Sequence, residues 1–198
     1  MAGRRSTPAA PALREIERKF LVRRLPPAFA RRQGRSIVQG YLAVSPDGTE
    51  VRVRNCGGEY FLTIKHGTGV SRSEVELKLT EAQFMSLWPL TRGQRISKTR
   101  FALPHPAGAL ELDVFRGPLQ GLMTVEIEFP TRRASRAFQP PNWFGPEITH
   151  REAYRNRTLA LGSRVKLAAA HFLAAEHGFP GRHSARSKVA TVTARRRA

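Results

Sequence analysis

The sequence predicts a mainly β (α+β) protein: an eight-stranded antiparallel β-barrel, or tunnel, with a charged lumen and helices packed outside. Two observations lead to this prediction. Segments that alternate charged and apolar residues recur along the chain, with turn signals between them. Neighbouring side chains on a strand point to opposite faces, so each segment has one charged face and one apolar face. Many such segments with few helical ones favour an antiparallel sheet closed into a barrel.

Eight segments have this strand character. They are residues 14–22, 36–44, 50–55, 59–66, 71–79, 94–103, 109–115 and 122–129. Gly57 and Gly58 stand between the third and fourth segments and are typical of a tight β-hairpin. Ser45-Pro46-Asp47-Gly48 predicts the turn that ends the second segment. The connections are therefore short enough for neighbouring strands to pair.

Helical signals are fewer. Thr80 and Gln83 have the spacing of a capping box, and Pro89 ends the helix that they begin. Residues 151–161 are predicted as a second helix. Residues 130–149 contain several prolines and glycines and are predicted to be mostly loop.

The strand segments divide the chain into three parts: residues 1–13, a flexible basic arm; residues 14–162, one folded domain; and residues 163–198, an Ala/Arg-rich helix with a disordered basic tail. The formal net charge is +19. Such an excess of positive charge predicts non-specific binding of polyanions through the basic tails. The alternative is that the tails are arginine-rich solvated extensions with no partner.

Several classes of protein are excluded. Cys56 is the single cysteine, so an intrachain disulfide is impossible, and we expect a reduced, cytoplasmic location. The sequence shows neither a signal peptide nor an apolar run of about 18 residues, so we expect no membrane association. It also lacks a phosphate-binding P-loop and zinc-finger spacing. The oligomeric state is left open.

The charged faces of the predicted strands mix acidic with basic residues. Any one pair of charges is explained well enough as a solvated strand face. Taken together they predict a charged cavity, because nearly every paired position is charged. Carboxylates can bind a hard divalent cation such as Mg²⁺ or Mn²⁺, and Arg and Lys can grip phosphate oxygens. The candidate carboxylates are Glu15, Glu17, Asp113, Glu126 and Glu128, and the candidate cations are Lys19, Arg52, Arg54, Lys65, Lys98 and Arg100.

The order of these motifs resembles the CYTH superfamily, the triphosphate tunnel metalloenzymes. The resemblance begins with Glu15-Ile-Glu-Arg-Lys19, which is similar to the ExExK signature of that family. It continues through Val51-Arg-Val-Arg54, Leu62-Thr-Ile-Lys65, Arg72-Ser-Glu-Val-Glu76, Ile96-Ser-Lys-Thr-Arg100, Glu111-Leu-Asp-Val-Phe115 and Val125-Glu-Ile-Glu128. It covers roughly residues 14–162 and is greatest to the compact, single-domain bacterial inorganic triphosphatases.

This resemblance implies an eight-stranded tunnel that hydrolyses a triphosphate with the help of Mg²⁺ or Mn²⁺. The simplest substrate is inorganic tripolyphosphate, which would yield pyrophosphate and phosphate; an organic triphosphate is the other choice. By resemblance, the metal ligands are Glu15, Glu17, Asp113, Glu126 and Glu128. The resemblance also implies the phosphate-binding residues, which are Lys19, Arg52, Arg54, Lys65, Arg72, Lys98 and Arg100. The catalytic residues among them are Lys19, Arg54 and Lys98.

Three alternatives stay open. A class IV-type adenylyl cyclase or a thiamine triphosphatase would need a pocket for an organic ring, which Trp88 or Trp143 could stack against if they do not simply pack in the core. A non-catalytic module that binds polyphosphate or nucleic acid is the third. One departure from the family pattern is His150-Arg151, which stands where similar proteins often have acidic residues.

Overall fold

The fold is an antiparallel sheet with nine strands in the part of the chain that this computed structural model describes, residues 16–30, 32–67 and 73–162. Eight of the strands match the predicted segments to within two residues at each end. Their spatial order is β5-β4-β3-β2-β6-β7-β8-β1-β9. The strands are β1 (Ile16–Val22), β2 (Arg35–Val44), β3 (Glu50–Cys56), β4 (Glu59–His66), β5 (Ser73–Leu79), β6 (Arg95–His105), β7 (Gly108–Phe115), β8 (Met123–Phe129) and β9 (Phe144–Glu147).

The predicted closure into an eight-stranded barrel is not found. Among the described residues the sheet is open, with β5 at one end and β9 at the other. The reason lies in β1: one of its edges pairs with β8, and the other edge pairs with β9, through Phe20 with Glu147 and Val22 with Phe144. Since both edges of β1 are occupied, β5 has no backbone edge there with which to close a ring.

The ninth strand corrects the prediction of a loop over residues 130–149. β9 carries Pro146, which has no backbone N–H; an edge strand tolerates proline because only one of its edges must donate hydrogen bonds to a neighbour. The same range also contains a short helix, α3 (Arg132–Ala137), capped by Thr131, whose hydroxyl accepts a hydrogen bond from the backbone of Ala134 at 3.1 Å. The high proline and glycine content concealed both elements.

The hairpin and the capping box are confirmed. Gly57 and Gly58 have φ values of 62° and 94°, the left-handed region that a two-residue turn between β3 and β4 requires. The backbone N–H of Thr80 donates to Gln83 Oε1 at 2.8 Å, and that of Gln83 donates to Thr80 Oγ1 at 3.3 Å. These bonds begin α2 (Glu81–Leu87).

The outer face of the sheet carries the larger hydrophobic core. α1 (Pro27–Ala30), α2 and α3 lie on this side: Phe29 packs against Phe101, Phe84 packs against Tyr60, and Phe138 packs against residues of β1 and β8. The buried residues of this core are Phe20, Val22, Phe29, Leu110, Leu112, Met123, Val125, Ile127, Phe129, Phe138 and Phe144. The prediction of helices outside the sheet is confirmed for these three.

The prediction of helices outside the sheet is wrong for α4 (Asn156–Leu161), which covers one end of the charged face. Leu21 lies two residues beyond Lys19 on β1, so the two side chains share that face. Leu21 nevertheless belongs to a second apolar cluster that includes Leu159 and Ala160 of α4. The strands become apolar at this end, and α4 buries the apolar surface that results. The buried members are Leu21, Tyr41, Ile96, Phe115, Leu119, Leu122, Ile148, Leu159 and Ala160.

α4 is also shorter than the predicted helix over residues 151–161. A 3₁₀ turn at Glu152–Tyr154 comes first, and Arg155, with ψ of 141°, separates it from α4. Within the described ranges, no helix is both long enough and apolar enough to cross a bilayer. The basic arm 1–13, the segment 163–198, Glu15 and Arg72 lie outside the described residues.

Candidate active site

The cross-strand register places the predicted charged residues of the described part on one face. Directly opposed residues of an antiparallel pair share a face. Lys19 lies opposite Glu126, Arg100 opposite Asp113, and Glu111 opposite Glu126. On the other half of the sheet the opposed pairs are Gln39 with Arg54, Tyr41 with Arg52, Arg52 with Thr63, Thr63 with Glu76, and Lys65 with Glu74.

Ion pairs of alternating sign link β1, β8, β6 and β7. Lys19 Nζ lies 2.8 Å from Glu126 Oε1, and Arg100 Nη2 lies 3.6 Å from Glu126 Oε2. Arg100 also donates to both oxygens of Asp113, at 2.8 and 2.7 Å, and contacts Glu111. Lys98 completes the series with a 2.5 Å bond to Asp113. We call these five residues, Lys19, Glu126, Arg100, Asp113 and Lys98, the ion-pair network of the sheet.

Three members of this ion-pair network, Asp113, Glu126 and Arg100, have pKa values shifted in the direction that favours the charged form. Burial acts to raise the pKa of Asp113, but the Lys98 ammonium and the Arg100 guanidinium outweigh it and lower the pKa to about 2. Burial likewise opposes the Glu126 carboxylate, whose pKa is nevertheless lowered by Lys19 and Lys98. Arg100 has a raised pKa because its bonds to Asp113 and the charges of Glu111 and Glu126 exceed the effect of burial. Burial has the opposite effect on Lys98, whose pKa it lowers although Asp113 and Glu126 act to raise it. Asp113 is the buried centre of the network, with Lys98 and Arg100 both bonded to it.

Beside the ion-pair network is a cavity of about 750 Å³. Five of the predicted site residues line it: Glu17 and Lys19 from β1, Arg52 from β3, Lys65 from β4 and Glu126 from β8. Arg54, Lys98, Arg100, Asp113 and Glu128 do not line it. Lys98 and Asp113 are buried below it, each with a side chain only 2% exposed. The structure thus divides the predicted set into residues that face the cavity and residues that support them.

Two arginines of β3 have donors that are buried without an acceptor. Nε of Arg52 and Nε of Arg54 have no hydrogen-bond partner among the described residues, although both atoms are shielded from solvent. Arg54 is held on its other side by Glu76, with Nη2 3.0 Å from Oε2, and Glu76 also accepts from Thr63 at 2.9 Å. A buried guanidinium N–H without a partner costs free energy, which an anionic oxygen could recover.

Glu74 and Glu76 serve as counter-charges for basic residues. Glu74 pairs with Lys65 and Glu76 with Arg54. These contacts hold two of the predicted phosphate-gripping side chains against β5. In the hydrogen-bonded strand order, five strands separate β5, which carries both carboxylates, from β8.

The far wall of the cavity comes from the segment around α4, which the strand pattern did not predict as part of the site. Arg151, Tyr154, Arg155, Asn156 and Arg157 all line the cavity. The sequence contains one indication of this wall: Arg151 and Arg155 are four residues apart in a predicted helix, so their side chains would share one face. Arg151, Arg155 and Arg157 therefore make this wall basic.

Arg157 fixes this wall to the sheet. Its Nη1 lies 2.7 Å from Glu50 Oε1 on β3, and its Nη2 lies 2.6 Å from Glu152 Oε1. Glu50 is a buried member of the cavity lining. A buried carboxylate with a guanidinium partner is a costly arrangement to break, so this bridge holds α4 in place.

Tyr41 is part of the core at the closed end of the cavity. It is only 1% exposed, and its hydroxyl accepts a hydrogen bond from Gln39 Nε2 at 3.2 Å. Burial raises the pKa of Tyr41 to about 12, so the phenol stays protonated. A register shift in β2 next to Tyr41 marks a β-bulge, a feature that often re-aims side chains near a site.

The two tryptophans are partly buried and pack against other aromatic rings outside the cavity. Trp88 stacks on Phe84 at a centroid distance of 5.1 Å, and Trp143 packs edge-on against Phe29 and Phe144. Neither lines the cavity. The ring-stacking role that either could have had for an organic substrate is not supported.

The acidic residues on the charged face of β1, β7 and β8 have oxygen donors that suit a hard divalent cation, and two of them, Glu17 and Glu126, line the cavity. Glu17 and Glu128 lie directly opposite each other on β1 and β8, as Glu111 and Glu126 do on β7 and β8. Carboxylates opposed in this way present oxygen atoms of the kind that a hard divalent cation takes as ligands. No group of three His, Cys, Asp or Glu side chains is already gathered as a metal site within the described ranges. Two or three carboxylates with substrate oxygens are the arrangement that Mg²⁺ accepts.

An open antiparallel sheet beside a cavity lined by acidic and basic residues is suited to binding a multiply charged anion. No protein-family model matches the sequence. The chain is 47% identical to the inorganic triphosphatase of Nitrosomonas europaea over 148 residues, 74% of this chain and 97% of that protein. It is 33% identical to the inorganic triphosphatase of Acetivibrio thermocellus over 149 residues, 74% of this chain and 92% of that protein.

The solved structures agree with these relatives. The crystal structure of the inorganic triphosphatase NE1496 matches with a TM-score of 0.61 and 44% identity, over 75% of this chain and 95% of that chain. The chain belongs to the inorganic triphosphatase family.

Proposed function

We propose that this protein is a triphosphate tunnel metalloenzyme of the CYTH superfamily. It would hydrolyse inorganic tripolyphosphate to pyrophosphate and phosphate in the cavity beside the ion-pair network. The observation that carries the proposal is the meeting of Lys19, Arg52 and Lys65 with the carboxylates of Glu17 and Glu126 around one cavity. The names of the two relatives supply the substrate class.

The basic residues would bind the phosphate chain. Arg52 offers a buried Nε–H that has no acceptor within the described ranges, so a phosphate oxygen there would satisfy this donor. Lys19 and Lys65 would add point charges on either side of it. Glu126 and Glu74 hold these two ammonium groups in place, which preorganises the site before substrate arrives.

Reaction requires water to attack a terminal phosphorus as the bond to the bridging oxygen breaks and pyrophosphate leaves. The cationic residues lower the barrier by stabilising charge on the transferred phosphoryl group and on the leaving oxygen. We assign Lys19 and Arg52 to substrate contact. Lys98, Arg100 and Asp113 lie behind them and hold Glu126, and through it Lys19, in position.

A divalent cation, Mg²⁺ or Mn²⁺, would bind at Glu17, Glu126 and Glu128, and the chemistry it supplies when bound is neutralisation of charge on the phosphate oxygens. Asp113 is less suited to that role than Glu126, because its side chain is only 2% exposed and lies outside the lining of the cavity, whereas Glu126 lines the cavity.

Phosphate release from tripolyphosphate, ATP and thiamine triphosphate, each with Mg²⁺, Mn²⁺ or EDTA, tests the proposal. We expect fast, metal-dependent release from tripolyphosphate and little from the two organic substrates. Lys19→Ala should reduce kcat/KM for tripolyphosphate by roughly 100-fold or more, since it removes a cation from the site.

Arg18→Ala is the matched control. Arg18 is the neighbour of Lys19 in β1 but lies on the opposite face, where it pairs with Glu147 at 2.7 Å. Loss of activity in Arg18→Ala equal to that in Lys19→Ala, or release that EDTA does not reduce, would contradict the proposed site. Formation of cyclic AMP from ATP in place of phosphate would favour the cyclase alternative.

A further inference from the structure

β5 is an edge strand whose backbone and apolar side chains are both exposed. Among the described residues it pairs with β4 alone, in an uninterrupted register of seven residues. Val75 is 52% exposed and Leu77 is 49% exposed, and Ile64 of β4 lies directly beside Val75. A regular edge strand with exposed apolar residues is a template for pairing with another strand.

The sequence of β5 is self-complementary in charge. Glu76 and Lys78 lie on one face of the strand, two residues apart, with Leu77 between them on the other face. When two copies of β5 pair antiparallel about a two-fold axis at Leu77, Glu76 of each copy lies opposite Lys78 of the second copy. On the other face Val75 lies opposite Leu79, and Leu77 opposite Leu77. Opposite charges and apolar pairs of this kind stabilise antiparallel strands.

The neighbouring registers bring like charges together. An axis at Glu76 pairs Glu74 with Lys78 but places the two Glu76 carboxylates directly opposite each other, and an axis at Val75 places Glu74 opposite Glu76. Like charges so placed are destabilising. A shift by one residue would put the charged face of one copy beside the apolar face of the other. The axis at Leu77 is therefore the favoured one.

We propose that β5 is a homodimer interface, in which β5 of two copies of this chain pair antiparallel about Leu77 and join the two sheets into one. An isologous contact of this type closes with two subunits and leaves no further β5 edge. It also keeps the charged faces of both copies on the same side of the joined sheet, since a two-fold axis normal to the sheet preserves each face.

Cysteine cross-linking tests the register. In the proposed dimer the Cα atoms of the two Leu77 residues are directly opposed, about 4.5–5.5 Å apart, within disulfide range. Leu77→Cys should therefore form a disulfide-linked dimer on mild oxidation of the full chain. Val75→Cys is the matched control, because it is equally exposed but its two copies would be separated along the strands by about 13 Å. The native Cys56 is buried and stays in both variants.

Sedimentation velocity tests the interface without cross-linking. We expect dimers of the full chain, and Lys78→Glu should weaken dimerisation by about tenfold because two ion pairs become two repulsive pairs. Met85→Glu, which changes an exposed apolar residue of α2, should leave the dimer unchanged. A monomer at every concentration, or equal cross-linking of Leu77→Cys and Val75→Cys, would overturn the proposal. Circular dichroism of Lys78→Glu establishes that the variant is folded.

Discussion

Lys98 and Asp113 form a buried ion pair at 2.5 Å, and each side chain is only 2% exposed. Asp113 has a second partner in Arg100, whereas the described contacts of Lys98 link its ammonium to Asp113 and place it 5.6 Å from the ring centroid of Phe115. The carboxylate is thus the shared centre of two cations. This asymmetry determines which substitution should cost more.

Asp113→Asn should destabilise the protein more than Lys98→Met. The first removes the charge that compensates both Lys98 and Arg100, and an uncompensated buried charge costs about 3–5 kcal/mol. The second leaves Asp113 bonded to Arg100 and places an apolar chain of similar length against Phe115. Urea unfolding of both variants measures the difference. Equal losses, or a larger loss in Lys98→Met, would show that Asp113 is not the centre of the pair.

The same carboxylate should make stability depend on acid pH. The pKa of Asp113 falls from an ordinary value of 3.8 to about 2 in the folded protein. A depressed carboxyl pKa contributes stability that is present above the unfolded pKa and is lost as the pH falls towards the folded one. We therefore expect a loss of about 2 kcal/mol between roughly pH 4 and pH 2 from this group.

Asp113→Asn isolates that contribution. Glu126, Glu147 and Glu152 also have lowered pKa values and will give acid sensitivity to both proteins. The difference between the wild-type and Asp113→Asn curves of unfolding free energy against pH should narrow as the pH falls below about 4. Parallel curves over this range would mean that Asp113 does not titrate as the ion pairs require.

Arg52→Lys should raise the KM for tripolyphosphate by about tenfold with a smaller change in kcat. Lysine keeps the positive charge but loses the Nε donor and the planar fork that binds two oxygens of a phosphate. Arg18→Lys, on the opposite face of the sheet, is the control and should leave KM unchanged. Equal kinetic effects of the two substitutions would remove Arg52 from substrate binding.

The sequence predicts the strands and their charged faces because period-two alternation reports directly on which residues share a face. That alternation is sufficient to group Lys19, Glu126 and Arg52 as members of one charged cavity. It could not predict β9, whose four residues include Gly145 and Pro146, because such residues enter a sheet only where a neighbour such as β1 offers a free edge. It also could not separate Lys19, which lines the cavity, from Lys98, which is buried. That distinction depends on packing by Phe115 and α4, which is set by contacts between residues far apart in the chain.

A divalent cation should stabilise the protein through Glu17 and Glu128. These carboxylates are directly opposed on β1 and β8, and without metal Glu128→Gln, an isosteric change at an exposed side chain, should leave the melting temperature unchanged. With millimolar Mn²⁺ the wild type should gain stability by mass action, and Glu128→Gln should gain much less. Differential scanning calorimetry with and without Mn²⁺ measures both effects.

Glu147→Gln is the control for this measurement. Glu147 pairs with Arg18 on the other side of β1, so its loss should lower the melting temperature but leave the gain from Mn²⁺ intact. The metal assignment is contradicted by an equal Mn²⁺ gain in Glu128→Gln and wild type.

Arg157→Met should destabilise the protein by about 2 kcal/mol and raise KM. Arg157 bridges Glu50 of β3 and Glu152 before α4, so its loss takes a guanidinium partner from a buried carboxylate and loosens the basic wall of the cavity. Arg155→Met is the control for stability, because Arg155 is half exposed and pairs with Glu152 near the surface, where an ion pair contributes less than about 1 kcal/mol. Urea unfolding and tripolyphosphate kinetics of both variants measure the effects. If Arg157→Met is no less stable than Arg155→Met, the bridge to Glu50 does not hold α4 against the sheet.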